Sequence, residues 1–170
     1  MQRILILLSF ISFLLIIISC NKGIEPAEVI GPSGFEGKVT FTGKWPEGIK
    51  RTHLVVFKNE IKTIDDFFLP NLSFVADSIP YGSKEYSFNS LVNSFSAIFV
   101  FGPGYYSYIA VAQQKTQFMT FNRADWFVVG VYCENGYQNK LKTMVVLPGH
   151  ITSGININVD FNNPPPQPPM

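Results

Sequence analysis

The sequence predicts an all-β domain, an antiparallel β-sandwich of about seven or eight strands with one short helical turn. Aromatic residues make up 15% of the chain and include sixteen phenylalanines, while charged residues also reach only 15%. Aromatic side chains favour the half-buried surface of a sheet. Short segments of alternating apolar and polar residues recur between turn residues, and no long segment shows the apolar period of a helix. Together these patterns are typical of a sandwich.

The chain begins with a segment typical of an export signal. Arg3 supplies a positive charge, and residues 4–18 form an apolar run interrupted only by Ser9 and Ser12. A transmembrane helix needs about 20 apolar residues, whereas the core of a signal peptide needs roughly 7 to 15. The length therefore favours a cleaved signal peptide over residues 1–19, with an uncleaved N-terminal helix as the alternative.

The residues that follow this run indicate the type of signal. Ile17-Ile18-Ser19-Cys20 resembles the lipobox of bacterial lipoproteins. The resemblance implies that the Cys20 thiol carries a diacylglyceryl group and becomes the first residue of the mature protein. Two or three acyl chains hold a protein on a membrane far more firmly than one. Because Asn21, and not an aspartate, follows the cysteine, the resemblance also implies an outer-membrane address in the cell envelope, on either of its faces.

The balance of charge excludes one class of partner. The chain has 13 Lys and Arg against 12 Asp and Glu, and removal of residues 1–19, which contain Arg3, leaves 12 of each. Binding of nucleic acid depends on clustered cations, and here only Lys50 and Arg51 are adjacent. We therefore expect no nucleic-acid partner. The expected partners are the membrane, through the acyl chains, and an envelope protein or glycan.

The mature chain divides into three parts. Residues 20–34 contain Pro26, Pro32 and three glycines without periodicity, which predicts a flexible tether. The β-sandwich is expected over residues 35–161. Residues 162–170 contain five prolines and should form an extended, disordered tail, because proline cannot join a sheet.

Alternation of apolar and polar residues places the strands. The long strand that starts at Tyr105 is expected to carry Tyr106 and Tyr108 on one face. Thr63 followed by Asp66 predicts the start of the short helical turn. The predicted strands cover residues 35–42, 53–57, 85–91, 97–101, 105–113, 126–133, 143–147 and 155–161.

Some of these segments resemble a known family. Residues 37–41, 103–111 and 145–159 are similar to the transthyretin-like sandwiches, which include the carboxypeptidase regulatory-like domains. In that group a Pro-Gly-Xaa-Tyr turn opens a central strand, as in residues 103–106. The likeness covers about residues 35–161 and departs from the family by an insertion around residues 58–81. It implies a non-catalytic accessory or adhesion-type module and carries no catalytic residue.

Residues able to perform chemistry are few. His53 and His150 lack the spacing of metal ligands. The pair Asp65-Asp66 favours the start of the helical turn over a calcium site. Cys133 lacks an intrachain partner once Cys20 is acylated, and its apolar surroundings favour a small core residue over a nucleophile. We therefore expect no enzymatic activity, no metal and no cofactor. A hydrolase with an unrecognised site is kept as a third hypothesis, after the two binding roles given next.

The surplus of aromatic residues is the remaining signal for binding. Trp45, Tyr105 and Tyr106 are candidate ligand-binding aromatics, and Trp45, in a Trp-Pro-Glu-Gly loop, is expected to be the best exposed. For each of them the alternative is packing in the core or covering a sheet edge. The leading hypothesis is a lipid-anchored envelope module with a binding or structural role, and the alternative is a carbohydrate-binding module that uses exposed aromatics.

Overall fold

The computed structural model describes residues 30–95, 99 and 101–169, and in these ranges the chain is mostly β-structure. The predicted signal peptide, Cys20 and residues 20–29 of the predicted tether lie outside the described residues. From Gly31 onward the chain forms one compact unit. Its strands are β1 (Gly34–Thr42), β2 (Arg51–Phe57), β3 (Leu72–Val75), β4 (Glu85–Asn89), β5 (Gly104–Tyr106), β6 (Tyr108–Gln114), β7 (Trp126–Val131), β8 (Cys133–Glu134), β9 (Tyr137–Leu141), β10 (Met144–Val146), β11 (Ile151–Thr152) and β12 (Ile157–Asp160).

The strands form two principal sheets and two strand pairs. The first, here called the β6 sheet, has the order β3-β2-β6-β7 and is antiparallel throughout. The second, here called the β1 sheet, has β1 at its centre, with β4 paired to it in antiparallel fashion and β11 and β12 paired in parallel. Strands β5 and β10 form one antiparallel pair, and β8 and β9, which follow each other in the chain, form the other. The all-β class is confirmed.

The parallel pairs depart from the fully antiparallel sandwich that the sequence predicts. Val39 lies opposite Ile157 in the register of β1 and β12, and the two strands come from opposite ends of the domain. Tight turns impose an antiparallel direction only on strands that follow each other in the chain. Alternation within each strand therefore predicts which side chains face inward, but it does not predict strand direction.

The β6 sheet is buried on both faces. Between the sheets lies an inner cluster, to which β2 contributes Leu54 and Val56 and β6 contributes Ile109 and Val111. The opposite face of the same two strands belongs to an outer cluster, which includes Phe57 of β2 and Tyr108 of β6. Continuous apolar runs are expected for strands covered on both sides. The domain therefore has three layers where a simple sandwich has two.

The segment around residues 58–81 supplies part of the third layer. As predicted, Thr63 starts a short turn, the 3-10 turn Ile64–Phe67, and its backbone N–H donates to Oδ2 of Asp66 at 2.8 Å. Ile61 and Phe67 from this segment pack into the outer cluster, and β3 extends the β6 sheet. The residues that looked like an insertion in the sequence thus cover the outer face of the sheet.

The proline-rich tail corrects a prediction. Residues 162–169 have no regular secondary structure, as expected, yet they pack against the domain. The Gln167 carboxamide accepts a hydrogen bond from Val128 N–H at 2.9 Å and donates one to the Val128 carbonyl at 2.8 Å. The Pro168 carbonyl accepts from Arg123 at 2.8 Å, and Pro165 and Pro168 are buried. A side-chain amide makes the strand-like bonds that the proline backbone cannot make.

The strand predicted over residues 105–113 is two strands. Ser107 interrupts it, because its N–H donates to the Lys58 carbonyl at 3.1 Å, and β5 then pairs with β10 while β6 pairs with β2. Tyr106 accordingly packs in the inner cluster and Tyr108 in the outer one. The prediction that both tyrosines share a face was wrong. Of the strand predicted over residues 97–101, residues 97, 98 and 100 lie outside the described part of the chain.

Candidate functional site

Trp45 does not have the exposed position that its loop predicted. Its side chain is only 9% exposed and packs against Phe41, Tyr81 and Phe161, with ring centroids 4.8 to 5.2 Å away. The indole N–H donates to the Ser83 carbonyl at 3.1 Å. Four aromatic rings thus close one end of the inner cluster, and Trp45 belongs to the core.

Tyr105 and Tyr106 are neighbours with opposite environments. Tyr106 is buried, and its hydroxyl donates to the Gly102 carbonyl at 2.7 Å and accepts from the Gly102 N–H at 3.2 Å. Burial also raises the pKa of the Tyr106 hydroxyl. Tyr105 is 68% exposed because successive side chains of a strand point to opposite faces. Of the three predicted aromatics, only Tyr105 presents its ring to solvent.

Tyr105 stands beside a groove of about 570 Å³. Lys58 and Asn59, which follow β2, form one wall, and Ser107, between β5 and β6, lies next to Tyr105. The remaining lining residues are Pro70, Ser73, Gly102, Pro103, Gly104 and Tyr106. This groove, here called the Tyr105 groove, combines one exposed aromatic ring with ammonium, amide and hydroxyl groups. Such a combination suits a polar ligand that also has an apolar face.

The backbone around Asn59 is held in place by a buried side chain. Asn71 accepts a hydrogen bond from the Asn59 N–H at 2.7 Å and donates to the Asn59 carbonyl at 3.2 Å. Asn71 also donates to the Asp66 carbonyl at 2.8 Å, which connects this wall to the helical turn. The Asn59 side chain itself is exposed. The wall of the groove is therefore fixed before any ligand arrives, which lowers the entropic cost of binding.

A second cavity of about 490 Å³ lies at the opposite end of the β6 sheet. Gln113 and Arg123 line it and are almost fully buried, and Gln167 from the tail also lines it. Arg123 donates to the carbonyls of Trp126 at 2.6 Å and Pro168 at 2.8 Å, and burial lowers its pKa. No sequence pattern predicted this cavity, because its walls come from segments that lie far apart in the chain.

The residues considered for chemistry do not converge. His53 is fully buried, its Nδ1 lies 2.8 Å from the Ala76 carbonyl, and burial lowers the pKa of the imidazole. Cys133 is half-buried, and burial raises the pKa of its thiol, which disfavours the nucleophilic thiolate. Asp66 accepts hydrogen bonds from the backbone N–H groups of Lys62 and Thr63, and these lower the pKa of its carboxyl. It acts as a cap of the helical turn, as the sequence indicated.

Within the described ranges, no group of three or more His, Cys, Asp or Glu side chains is arranged to hold a metal ion. The same part of the chain contains no helix with the length and hydropathy needed to cross a membrane. Comparison with protein-family models, with characterised proteins and with solved structures finds no match for this chain.

Proposed function

We propose that this chain is a lipid-anchored module of the bacterial cell envelope that binds a partner at the Tyr105 groove and catalyses no reaction. The anchor is inferred from the apolar run and the Ile17-Ile18-Ser19-Cys20 motif. The binding role is inferred from one observation above all, the exposed Tyr105 ring beside a polar groove. The resemblance to the transthyretin-like sandwiches stays a prediction, and the accessory role that it implies agrees with this proposal.

The position of Tyr105 supports a binding role over the alternative that it is an ordinary exposed surface residue. Val145 lies directly opposite Tyr105 across the β5–β10 pair and is also partly exposed. Cross-strand neighbours on one face form a continuous surface. The buried ring of Tyr106 fixes β5 from the other side. A large aromatic side chain on a rigid strand loses little conformational freedom on binding, which is the usual property of an anchor residue.

A carbohydrate is the specific ligand class that the groove favours. The C–H face of a sugar ring can stack on an aromatic ring. Around Tyr105, the Asn59 amide and the Ser107 hydroxyl can exchange hydrogen bonds with sugar hydroxyls, and the Lys58 ammonium can donate to them. An envelope protein is the other candidate, because Val145 and the exposed Leu147 extend the apolar surface beyond the groove. Binding to a protein would depend on Val145, whereas binding to a sugar would not.

The test is a glycan-binding screen with matched tyrosine variants. Tyr105→Ala should weaken binding of any glycan hit by roughly tenfold or more, as expected for an anchor residue. Tyr137→Ala is the control, because Tyr137 is 61% exposed but lies on β9 and does not line the groove. Absence of any glycan hit, or equal losses in the two variants, would contradict the carbohydrate proposal. Photocrosslinking from position 105 in cells then distinguishes a protein partner, whose capture Val145→Ser should reduce.

The anchor has a separate test. Cys20→Ser removes the thiol that the lipobox resemblance makes the site of acylation. We expect the variant to lose the mass of the acyl groups on its N-terminal peptide and to keep an unprocessed signal. Normal processing of the variant together with unchanged membrane fractionation would refute the lipoprotein assignment and leave the groove proposal intact.

A further inference from the structure

The connection between β6 and β7 exposes two phenylalanines. Phe118 is 78% and Phe121 is 51% exposed, and they are separated by Met119 and Thr120, which are partly buried. Single exposed apolar residues are common on protein surfaces. Here two large aromatic side chains are exposed on one loop, and Met119 and Phe121 of that loop also line the apolar surface over the outer cluster. Exposed apolar surface of this kind is a candidate interaction site.

Hydrogen bonds hold this loop in a defined conformation. The Thr120 carbonyl accepts from the Trp126 indole N–H at 2.8 Å, and its hydroxyl donates to Asp125 at 2.6 Å. Gln114 donates to the same hydroxyl at 2.8 Å. The inner side of the loop is thus fixed by Thr120, so the exposure of the neighbouring phenylalanines is built into the fold.

Three cations lie at the same end of the β6 sheet. Lys50 and Arg51 stand at the start of β2, and Lys115 follows the end of β6, which pairs with the start of β2 through Arg51 and Gln114. Arg51 also donates to the Gln117 carbonyl in the loop, at 3.3 Å. The two ion pairs of the described residues involve other lysines, Lys38 and Lys44. The tip, as we call Lys50, Arg51, Lys115, Phe118 and Phe121, therefore combines two exposed aromatic rings with three cations, against one carboxylate of the same loop, Asp125.

We infer that the tip docks the domain onto a lipid bilayer that contains anionic headgroups. Aromatic side chains partition into the interfacial region of a bilayer, and lysine and arginine beside them are attracted to anionic lipids. This contact goes beyond the acyl anchor, since it needs no acyl chain and involves a different part of the protein. The charge pattern favours an anionic lipid surface over an apolar protein groove, because an apolar groove would offer the three cations no negative charge to pair with.

Docking at the tip would also orient the Tyr105 groove. The tip lies where β2 begins and β6 ends, whereas the groove lies where β2 ends and β6 begins. Seven strand residues, Arg51–Phe57, separate the two ends, which corresponds to roughly 20 Å along the strand. A domain that rests on its tip would therefore present the groove away from the membrane, toward soluble or polymeric ligands.

The test places a photoreactive benzoylphenylalanine at position 118 of the full-length chain. The protein is reconstituted through its own N-terminal segment, whether acylated or not, into vesicles of phosphatidylcholine alone or mixed with phosphatidylglycerol. After illumination, mass spectrometry measures lipid adducts at the labelled position. The control carries the same probe at position 137, since Tyr137 follows the far end of β7. Acylation of Cys20 is read separately, from the N-terminal peptide, so failure of the anchor and failure of the tip are distinguishable.

We expect lipid adducts at position 118 to exceed those at position 137 by roughly tenfold on the mixed vesicles, as burial of a phenylalanine side chain would produce. Replacing Lys50 and Lys115 by glutamine should lower the yield at 118 several-fold on mixed vesicles, because each cation near an anionic surface contributes to binding. Equal adduct yields at positions 118 and 137 would overturn the inference. So would a yield at position 118 that changes neither with the phosphatidylglycerol content of the vesicles nor with the lysine replacements.

Discussion

Gln167→Ala tests whether the proline-rich tail is part of the fold. In the structure the Gln167 carboxamide makes two hydrogen bonds to the backbone of Val128, on the edge of β7 that faces away from β6. Removing the side chain leaves a buried N–H and a buried carbonyl without these partners. The change should destabilise the attachment of the tail and expose the edge of the sheet, while the inner cluster keeps its packing.

The expected magnitude follows from these two bonds. Each hydrogen bond contributes about 1 kcal/mol net, and a buried group left without a partner costs about 1–3 kcal/mol when water cannot replace the bond. Because the edge of β7 can admit water once the tail leaves, a total near 2 kcal/mol is expected. This corresponds to about 30-fold faster hydrogen exchange at the Val128 amide.

Amide hydrogen exchange measured by NMR is the assay, with Val111 in the central strand β6 as the internal reference. The exchange rate of the Val111 amide should change only if the whole domain is destabilised. Gln167→Glu keeps an acceptor for Val128 N–H but sets a carboxylate against its carbonyl, so it should give an effect in the same direction. Gln117→Ala, on an exposed loop, is the matched control. If the Val128 amide exchanges equally fast in the wild type and in Gln167→Ala, the attachment of the tail described here is refuted.

Two further predictions follow from close packing and from a buried base. Gly37→Ala should destabilise the domain by about 1–3 kcal/mol in chemical denaturation, because a Cβ there would clash with the backbone carbonyl oxygen of Ile155. Gly102→Ala, with open space around it, should have little effect, and equal denaturation midpoints for the two variants would contradict the close approach. Burial lowers the pKa of His53 below its usual value of 6.5, so the unfolded chain binds a proton more readily than the folded one. The contribution of neutral His53 to stability is therefore complete above pH 6.5. The free energy of unfolding should fall as the pH drops toward the folded pKa, by up to about 1.4 kcal/mol per pH unit. His53→Asn, which keeps a donor for the Ala76 carbonyl, should lose this pH dependence, whereas the control His150→Asn should retain it. An unchanged pH dependence in His53→Asn would assign the acid sensitivity to another group.

Alternation in the sequence predicted the inward faces where a strand is regular. In β1, Phe35, Val39 and Phe41 are buried as the period of two requires, and in β12 Ile157 and Val159 are buried while Asn158 is exposed. Such positions depend only on local geometry, because successive side chains of any strand point to opposite faces. The short strands β9 and β11 have no comparable alternation of apolar residues, and the sequence did not predict them.

The predictions that failed depend on contacts between distant segments. Trp45 looked exposed because it lies in a loop, but Tyr81 and Phe161, far away in the chain, cover it. The tail looked disordered because proline lacks the N–H of a strand, but one glutamine supplies both a donor and an acceptor to β7. In both cases the local sequence correctly predicts an irregular backbone. It does not predict which distant residues pack against that backbone, because these contacts are set by the tertiary fold.

The surplus of aromatic residues, which first suggested a binding protein, has a structural explanation in large part. One face of a sandwich could not bury them, but the β6 sheet is covered on both sides, and Phe57, Phe99 and Trp126 fill the outer cluster. Burial there accounts for most of the excess without any ligand. Several aromatics stay exposed, Tyr137 among them, and the informative ones are those that lie beside a polar groove or a group of cations. Tyr105 stands at one end of the β6 sheet, and Phe118 and Phe121 stand at the other, each beside polar or cationic groups that a core would exclude. The two surfaces that we propose, the Tyr105 groove and the tip, therefore lie at opposite ends of the sheet, whereas a single aromatic binding face would gather these rings at one end.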